Sequence, residues 1–133
     1  MRVLIVEDSD SIAKMIEALV SARGFEVKTA GNGAKGLEEA YALTPDIVLL
    51  DINLPGGYDG LEVCRKLRAQ EATAIVPIII ISAMVDDEVK QKAIDAGATA
   101  YFQKPFSPLA LLKEIESLTK RQSSGRFPTA PKS

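Results

Sequence analysis

The stretch Pro45-Asp46-Ile47-Val48-Leu49-Leu50-Asp51-Ile52-Asn53-Leu54-Pro55 is an apolar run that ends on a carboxylate and breaks at proline. Four consecutive aliphatic residues without polar alternation predict a strand covered on both faces, which in an open sheet means parallel and central. Asp51 then stands at the carboxyl end of that strand. In parallel α/β sheets ligands and chemistry collect at this edge, because the strands hold still while the loops vary.

Working outward toward the amino end, Phe25 to Ala30 alternates as a short, less buried strand, and Arg2 to Val6 is an aliphatic one. Between them Glu7-Asp8-Ser9-Asp10-Ser11 offers capping acceptors for a helix whose stripe is Ile12, Met15, Ile16, Leu19 and Val20, with Gly24 as its stop. Gly31-Asn32-Gly33 is turn chemistry before a helix through Leu37, Ala40 and Tyr41 that Thr44-Pro45 must end.

Toward the carboxyl end, a loop from Pro55 to Gly60 precedes a third helix marked by Leu61, Val63, Cys64 and Leu67. Pro77 to Ile81 is the most apolar strand and ends on Ser82-Ala83. A fourth helix from about Asp86 turns Val89, Ala93 and Ile94 inward and stops at Gly97. Thr99 to Phe102 is a fifth strand ending at Gln103-Lys104-Pro105, and Ser107-Pro108 opens a helix with Leu111, Leu112, Ile115 and Leu118 buried. Five strands alternating with five helices through short connections predict parallel strands and right-handed crossovers. By analogy the order is the flavodoxin-like doubly wound 2-1-3-4-5. Residues 121–133 have almost nothing to bury and read as a flexible tail or truncated linker after a domain spanning 1–120.

Composition narrows the chemistry. The 133 residues are 47% apolar and 26% charged with a formal net charge of -2, which suits one globular domain and offers no broad basic field for nucleic acid. A single cysteine, Cys64, forms no internal disulfide, and the absence of histidine removes the commonest general base and metal ligand. No run approaches the roughly 20 apolar residues of a membrane span, and no signal peptide is legible, so a cytoplasmic protein is expected.

With that strand order, Glu7 and Asp8 end the first strand, Asp51 the third, Ser82 the fourth and Lys104 the fifth, all on one rim. Three carboxylates within about 4 to 6 Å repel by roughly a kcal/mol per pair in water and by more when partly dry, so they call for a cation. All-oxygen ligation suits Mg²⁺. A carboxylate facing a lysine, a hydroxyl donor and solvent is arranged for attack on a phosphoryl group, giving an aspartyl phosphate. Each residue also has a plainer role: Asp8 as a helix cap, Ser82 as a strand terminator, Lys104 as a solvated strand end. The joint placement, each group immediately after a strand, carries the weight.

At Val6-Glu7-Asp8, Leu50-Asp51 to Pro55, Asp59-Gly60, Ser82-Ala83 and Lys104-Pro105-Phe106, the chain resembles the receiver domain of bacterial response regulators over roughly Met1 to Lys120. The resemblance implies that Asp51 accepts phosphate from a histidine kinase or phosphotransfer protein. It implies that Glu7 and Asp8, with Asp51 and the Asn53 backbone carbonyl, hold Mg²⁺, and that Ser82 and Lys104 sense the phosphoryl group. Tyr101 matches the aromatic that swings inward on activation, and the Lys104-Pro105 bond is expected to be cis. The face made by the fourth helix, fifth strand and fifth helix would then change for an output partner or domain or for a phosphorylation-dependent dimer. Catalysis beyond self-phosphorylation and slow loss of phosphate is not expected, nor is nucleic-acid or membrane binding by this chain.

Two departures stand out. The loop from Pro55 to Asp59 carries one residue more than the family spacing, with Gly56-Gly57 expected to absorb it, and Met84 replaces a polar group that could orient a hydrolytic water, which predicts slow to moderate dephosphorylation. An aspartyl-nucleophile phosphatase is the rival of another class; its nucleophile would follow the first strand, and no lid sequence is present. A flavin module would need a glycine- and hydroxyl-rich loop where Glu7-Asp8 stands, and a phosphate-independent pseudo-receiver is opposed only by the completeness of the set.

Overall fold

The computed structural model describes residues 1–83 and 86–123, the last four as backbone. Five strands form one parallel sheet: β1 (Arg2–Val6), β2 (Glu26–Ala30), β3 (Ile47–Asp51), β4 (Ile78–Ser82) and β5 (Ala100–Gln103), in the order β2-β1-β3-β4-β5. The doubly wound order expected from the sequence is the one found. Pairing sets Val6 opposite Leu50, Asp51 opposite Ile81, and Ser82 opposite Gln103, so the ends of β1, β3, β4 and β5 lie level on one rim.

Helices cover both faces: α1 (Asp10–Ser21), α2 (Gly33–Leu43), α3 (Gly60–Ala69), α4 (Asp87–Ala96) and α5 (Pro108–Ser123). Alternate residues of the central strands feed two cores. Leu4, Val6, Val48, Leu50, Ile78 and Ile80 meet the α2, α3 and α4 side, while Val3, Ile5, Ile47, Leu49, Ile79 and Ile81 meet α1 and α5. Every residue of β3 and β4 is buried, which explains why neither strand shows polar alternation. The edge strands β2 and β5 are only partly covered.

The helix ends follow local chemistry. Ser9 Oγ accepts from the Ile12 N–H, Asn32 from Lys35 and Asp86 from Val89. Asp59 and Glu62 form a reciprocal capping box at α3. Thr44 ends α2 in the left-handed region at φ 50, and the Lys104-Pro105 bond is cis, as expected.

Three details differ from the sequence reading. Met15 is 40% exposed and Ile94 56% exposed, because each falls one position off a stripe narrower than hydropathy alone predicts: Ala13, Ile16 and Val20 fill the α1 contact, Ala93 and Ala96 that of α4. A 3-10 turn over Glu71–Thr73, with Thr73 buried, joins α3 to β4 in a stretch where no element was expected. The helix α5 continues to Ser123 and buries Thr119, so it passes the expected boundary at Lys120. Met84 and the tail beyond Ser123 lie outside the described residues. Among those described, no helix is long and apolar enough to cross a membrane.

Candidate phosphoacceptor and metal site

The rim of the sheet is built by main-chain bonds before any side chain acts. The Glu7 N–H donates to the Ala30 carbonyl at 2.9 Å, extending β1 by one residue and turning the Glu7 side chain inward, where the residue is 4% exposed. The Ser9 N–H donates to Glu7 Oε2 at 3.1 Å. Because Ser9 caps α1, Asp8 is released from capping and stays exposed beside Glu7. Asp51, 3% exposed, has Oδ1 fixed by the Asn53 N–H at 3.1 Å. The Lys104 N–H donates to the Ser82 carbonyl at 2.7 Å, which carries β5 one step past Gln103 and aligns the lysine with the serine.

The side chains then converge. Lys104 Nζ lies 3.0 Å from Asp51 Oδ2 and donates at 3.4 Å to Glu7 Oε2. Glu7 Oε1 is 3.2 Å from the same ammonium but off its donor directions, and it is buried without a hydrogen bond. Carboxylate oxygens of Glu7, Asp8 and Asp51 all fall within 4.8 Å of one another. Two of the three acids, Glu7 and Asp51, thus share one lysine.

The electrostatics record the imbalance. Burial pushes the Glu7 carboxyl above its usual value, and the charge of Asp51 adds to this; the Ser9 N–H and Lys104 oppose both. For Lys104, burial alone would lower the ammonium, yet hydrogen bonds and charge from Asp51 and Glu7 outweigh it and leave the group raised. A buried carboxylate oxygen without a hydrogen bond, within a three-acid cluster, fits a hard divalent cation with oxygen ligands.

Each expected phosphoacceptor, metal and switch residue can be placed. Glu7, Asp8, Asp51, Lys104 and Ser82 stand on the same rim, with Ser82 buried at the end of β4. Asn53 is exposed two residues beyond Asp51, and its N–H is the group bonded to that carboxylate. Tyr101 is in β5 opposite Ile80; the residue is 37% exposed and its ring lies under Lys90 Nζ, 5.4 Å from the centroid. Sequence reasoning did not find a role for Gly60, which closes the loop after Asp51 through its N–H to the Ile52 carbonyl at 2.8 Å. Its signals were its place at a helix start and in the Asp59-Gly60 pair that helps carry the resemblance.

The family profile described as the response regulator receiver domain matches residues 3–116. The chain is 39% identical over 121 residues to the response regulator ArlR of Staphylococcus aureus, covering 91% of this chain and 53% of that protein. It is 34% identical over 131 residues to the DNA-binding dual master transcriptional regulator RpaA of Synechocystis, covering 98% and 53% respectively. The solved structure of the chemotaxis protein CheY4 of Vibrio cholerae superposes with a TM-score of 0.83 at 33% identity, over 88% of this chain and 97% of that one. The chain spans about half the length of these two curated relatives.

Proposed function

The chain belongs to the family of response regulator receiver domains, phosphoacceptor signalling switches, and from that premise we propose that Asp51 is the residue that takes the phosphoryl group. The carrying observation is the ammonium of Lys104 held between Asp51 and Glu7 on the rim that Ser82 also occupies. An Asp51 oxygen bonds to phosphorus as the donor's bond to phosphorus breaks, and a departing imidazole of a kinase or phosphotransfer histidine is protonated from water.

Glu7, Asp8 and Asp51, with the Asn53 backbone carbonyl, would hold Mg²⁺, which neutralises charge on the transferring group when bound. Lys104 and the Ser82 hydroxyl are the groups that receive the new phosphoryl oxygens. Phosphorylation adds about -1.5 to -2 charge beside them. Lys104 can then exchange its bond to Asp51 for one to phosphate, Ser82 is drawn toward it, and Tyr101 turns inward from beneath Lys90. The surface made by α4, β5 and α5 is altered in consequence, biasing an equilibrium between two packings.

The histidine kinase and the output partner are separate molecules or separate domains. The relatives' additional length is where an output domain would sit, and DNA binding would belong to it. The receiver unit extends through α5, and a chain working with a histidine kinase in this way acts in the cytoplasm. Incubation with Mg²⁺ and acetyl phosphate, followed by intact mass, is expected to add one phosphoryl group to the wild type and none to Asp51→Ala. Equal labelling of both would overturn the assignment.

A further inference from the structure

We propose that Gly60 is a positioning residue for Asp51: the space left by its missing side chain sets the place of the phosphoacceptor main chain and makes it independent of the length of the loop between them. The inference rests on the reading of Asp51 above. A Cβ built on Gly60 would run into the Asp51 carbonyl oxygen, with the Ile52 Cα at 2.7 Å and the Asp51 carbonyl carbon at 2.8 Å. All three are backbone atoms and cannot swing aside, so the peptide after Asp51 would have to move. The first turn of α3 is fixed by the Asp59 and Glu62 capping box, so Gly60 itself is not free to retreat.

The loop between the two residues closes on a single acceptor. The Ile52 carbonyl takes the Leu54 N–H at 3.1 Å and the Gly60 N–H at 2.8 Å, which pins both ends while the middle hangs outside. In that middle, Gly56 has φ +91, and a Cβ on Gly56 or Gly57 would meet nothing within 4 Å. Gly56 and Gly57 therefore sit where nothing presses on the site. Tyr58, next along, is braced from the other side: a Cβ on Gly33 would lie 2.8 Å from both the Tyr58 Cβ and its carbonyl oxygen.

The test compares Gly60→Ala, a chain lacking Gly57, and Gly33→Ala. Readouts are the backbone amide resonances of Asp51 to Asn53, the Mg²⁺ dissociation constant from NMR titration, and the acetyl phosphate labelling rate. Gly60→Ala is expected to shift those amides, weaken Mg²⁺ at least tenfold and slow labelling at least tenfold while circular dichroism still reports the fold. The other two are expected to keep Mg²⁺ binding and labelling within twofold, although Gly33→Ala lowers stability. A folded Gly60→Ala protein with unmoved amides and unchanged Mg²⁺ binding overturns the proposal. Should that variant not fold, a tenfold loss of Mg²⁺ affinity in the chain lacking Gly57 overturns it instead. Failure of the wild type to take phosphate would sink the functional reading, while the amide shifts and Mg²⁺ titration would still judge the role of Gly60.

Discussion

At the scale of single residues, the site is a conflict held in place by the fold. Burial and the charge of Asp51 favour the neutral form of Glu7, so ionising it destabilises the native state. The sign follows from the raised carboxyl: the penalty is absent below the ordinary value of 4.5 and grows as pH rises through the higher folded value. Glu7→Gln is therefore expected to stabilise the metal-free protein at pH 7 by about 1 kcal/mol, a gain that fades as pH falls toward 4.5. The same variant should lose roughly tenfold in Mg²⁺ affinity, about 1.4 kcal/mol. Urea midpoints with and without Mg²⁺ at several pH values check both. Lys104 runs the other way, because its raised ammonium adds stability that is present below the ordinary 10.5 and lost above the folded value. Replacing it by Lys104→Met leaves two buried acids facing each other and should lower metal-free stability by about 2 kcal/mol. Thermal melts should then show a larger Mg²⁺ stabilisation in that variant than in the wild type; an equal or smaller one would mean that Lys104 does not offset the acids.

At the scale of elements, what was legible in the sequence is what depends on local pattern. The unbroken runs of β3 and β4 announce strands buried on both faces, and Ser107-Pro108 announces the start of α5. Met15 and Ile94 were misjudged because a periodic stripe tells which side of a helix faces inward but not how wide the contact is. Arg68 was invisible for a different reason: its partners are main-chain oxygens, which carry no sequence signature. Its guanidinium donates to the carbonyls of Gly97 at 2.9 Å, Val76 at 2.6 Å, Ala74 at 3.2 Å and Thr73 at 3.3 Å. It thereby ties the end of α3 to the entry of β4 and the end of α4. Burial lowers its pKa, and no carboxylate compensates among the described contacts. Arg68→Met should leave these carbonyls unsatisfied and cost about 2 to 3 kcal/mol, with Arg68→Lys intermediate, as read from urea midpoints; a loss under about 0.5 kcal/mol would mean that water replaces the guanidinium freely.

At the scale of the whole molecule, the sheet order is what makes five residues from four distant stretches of sequence into one site. Glu7 and Lys104 are separated by most of the chain, yet β1, β3, β4 and β5 deliver their ends to a common rim, so the strands read from pattern, placed in an order taken by analogy, assemble the acids, the serine and the lysine. The orientation of Tyr101 could not be read that way, because it stands on the exposed face of an edge strand, where burial does not dictate the ring position. That freedom is what a switch requires. The ring lies under Lys90 of α4, one turn before Ile94, and both Ile94 and Leu109 on α5 are more than half exposed. If charge arriving at Asp51 draws Lys104 and Ser82 inward and the ring follows, the surface made by α4, β5 and α5 changes shape and becomes the place where a partner or a second copy docks. Beryllofluoride with Mg²⁺, a stand-in for the aspartyl phosphate, is expected to shift amide resonances of α4, β5 and α5 more than those of α1 and α2. It should also raise the apparent mass in sedimentation if the partner is another copy. Asp51→Asn should abolish both responses, whereas shifts confined to the rim would mean that the acids, the lysine and the serine bind the analogue without transmitting it.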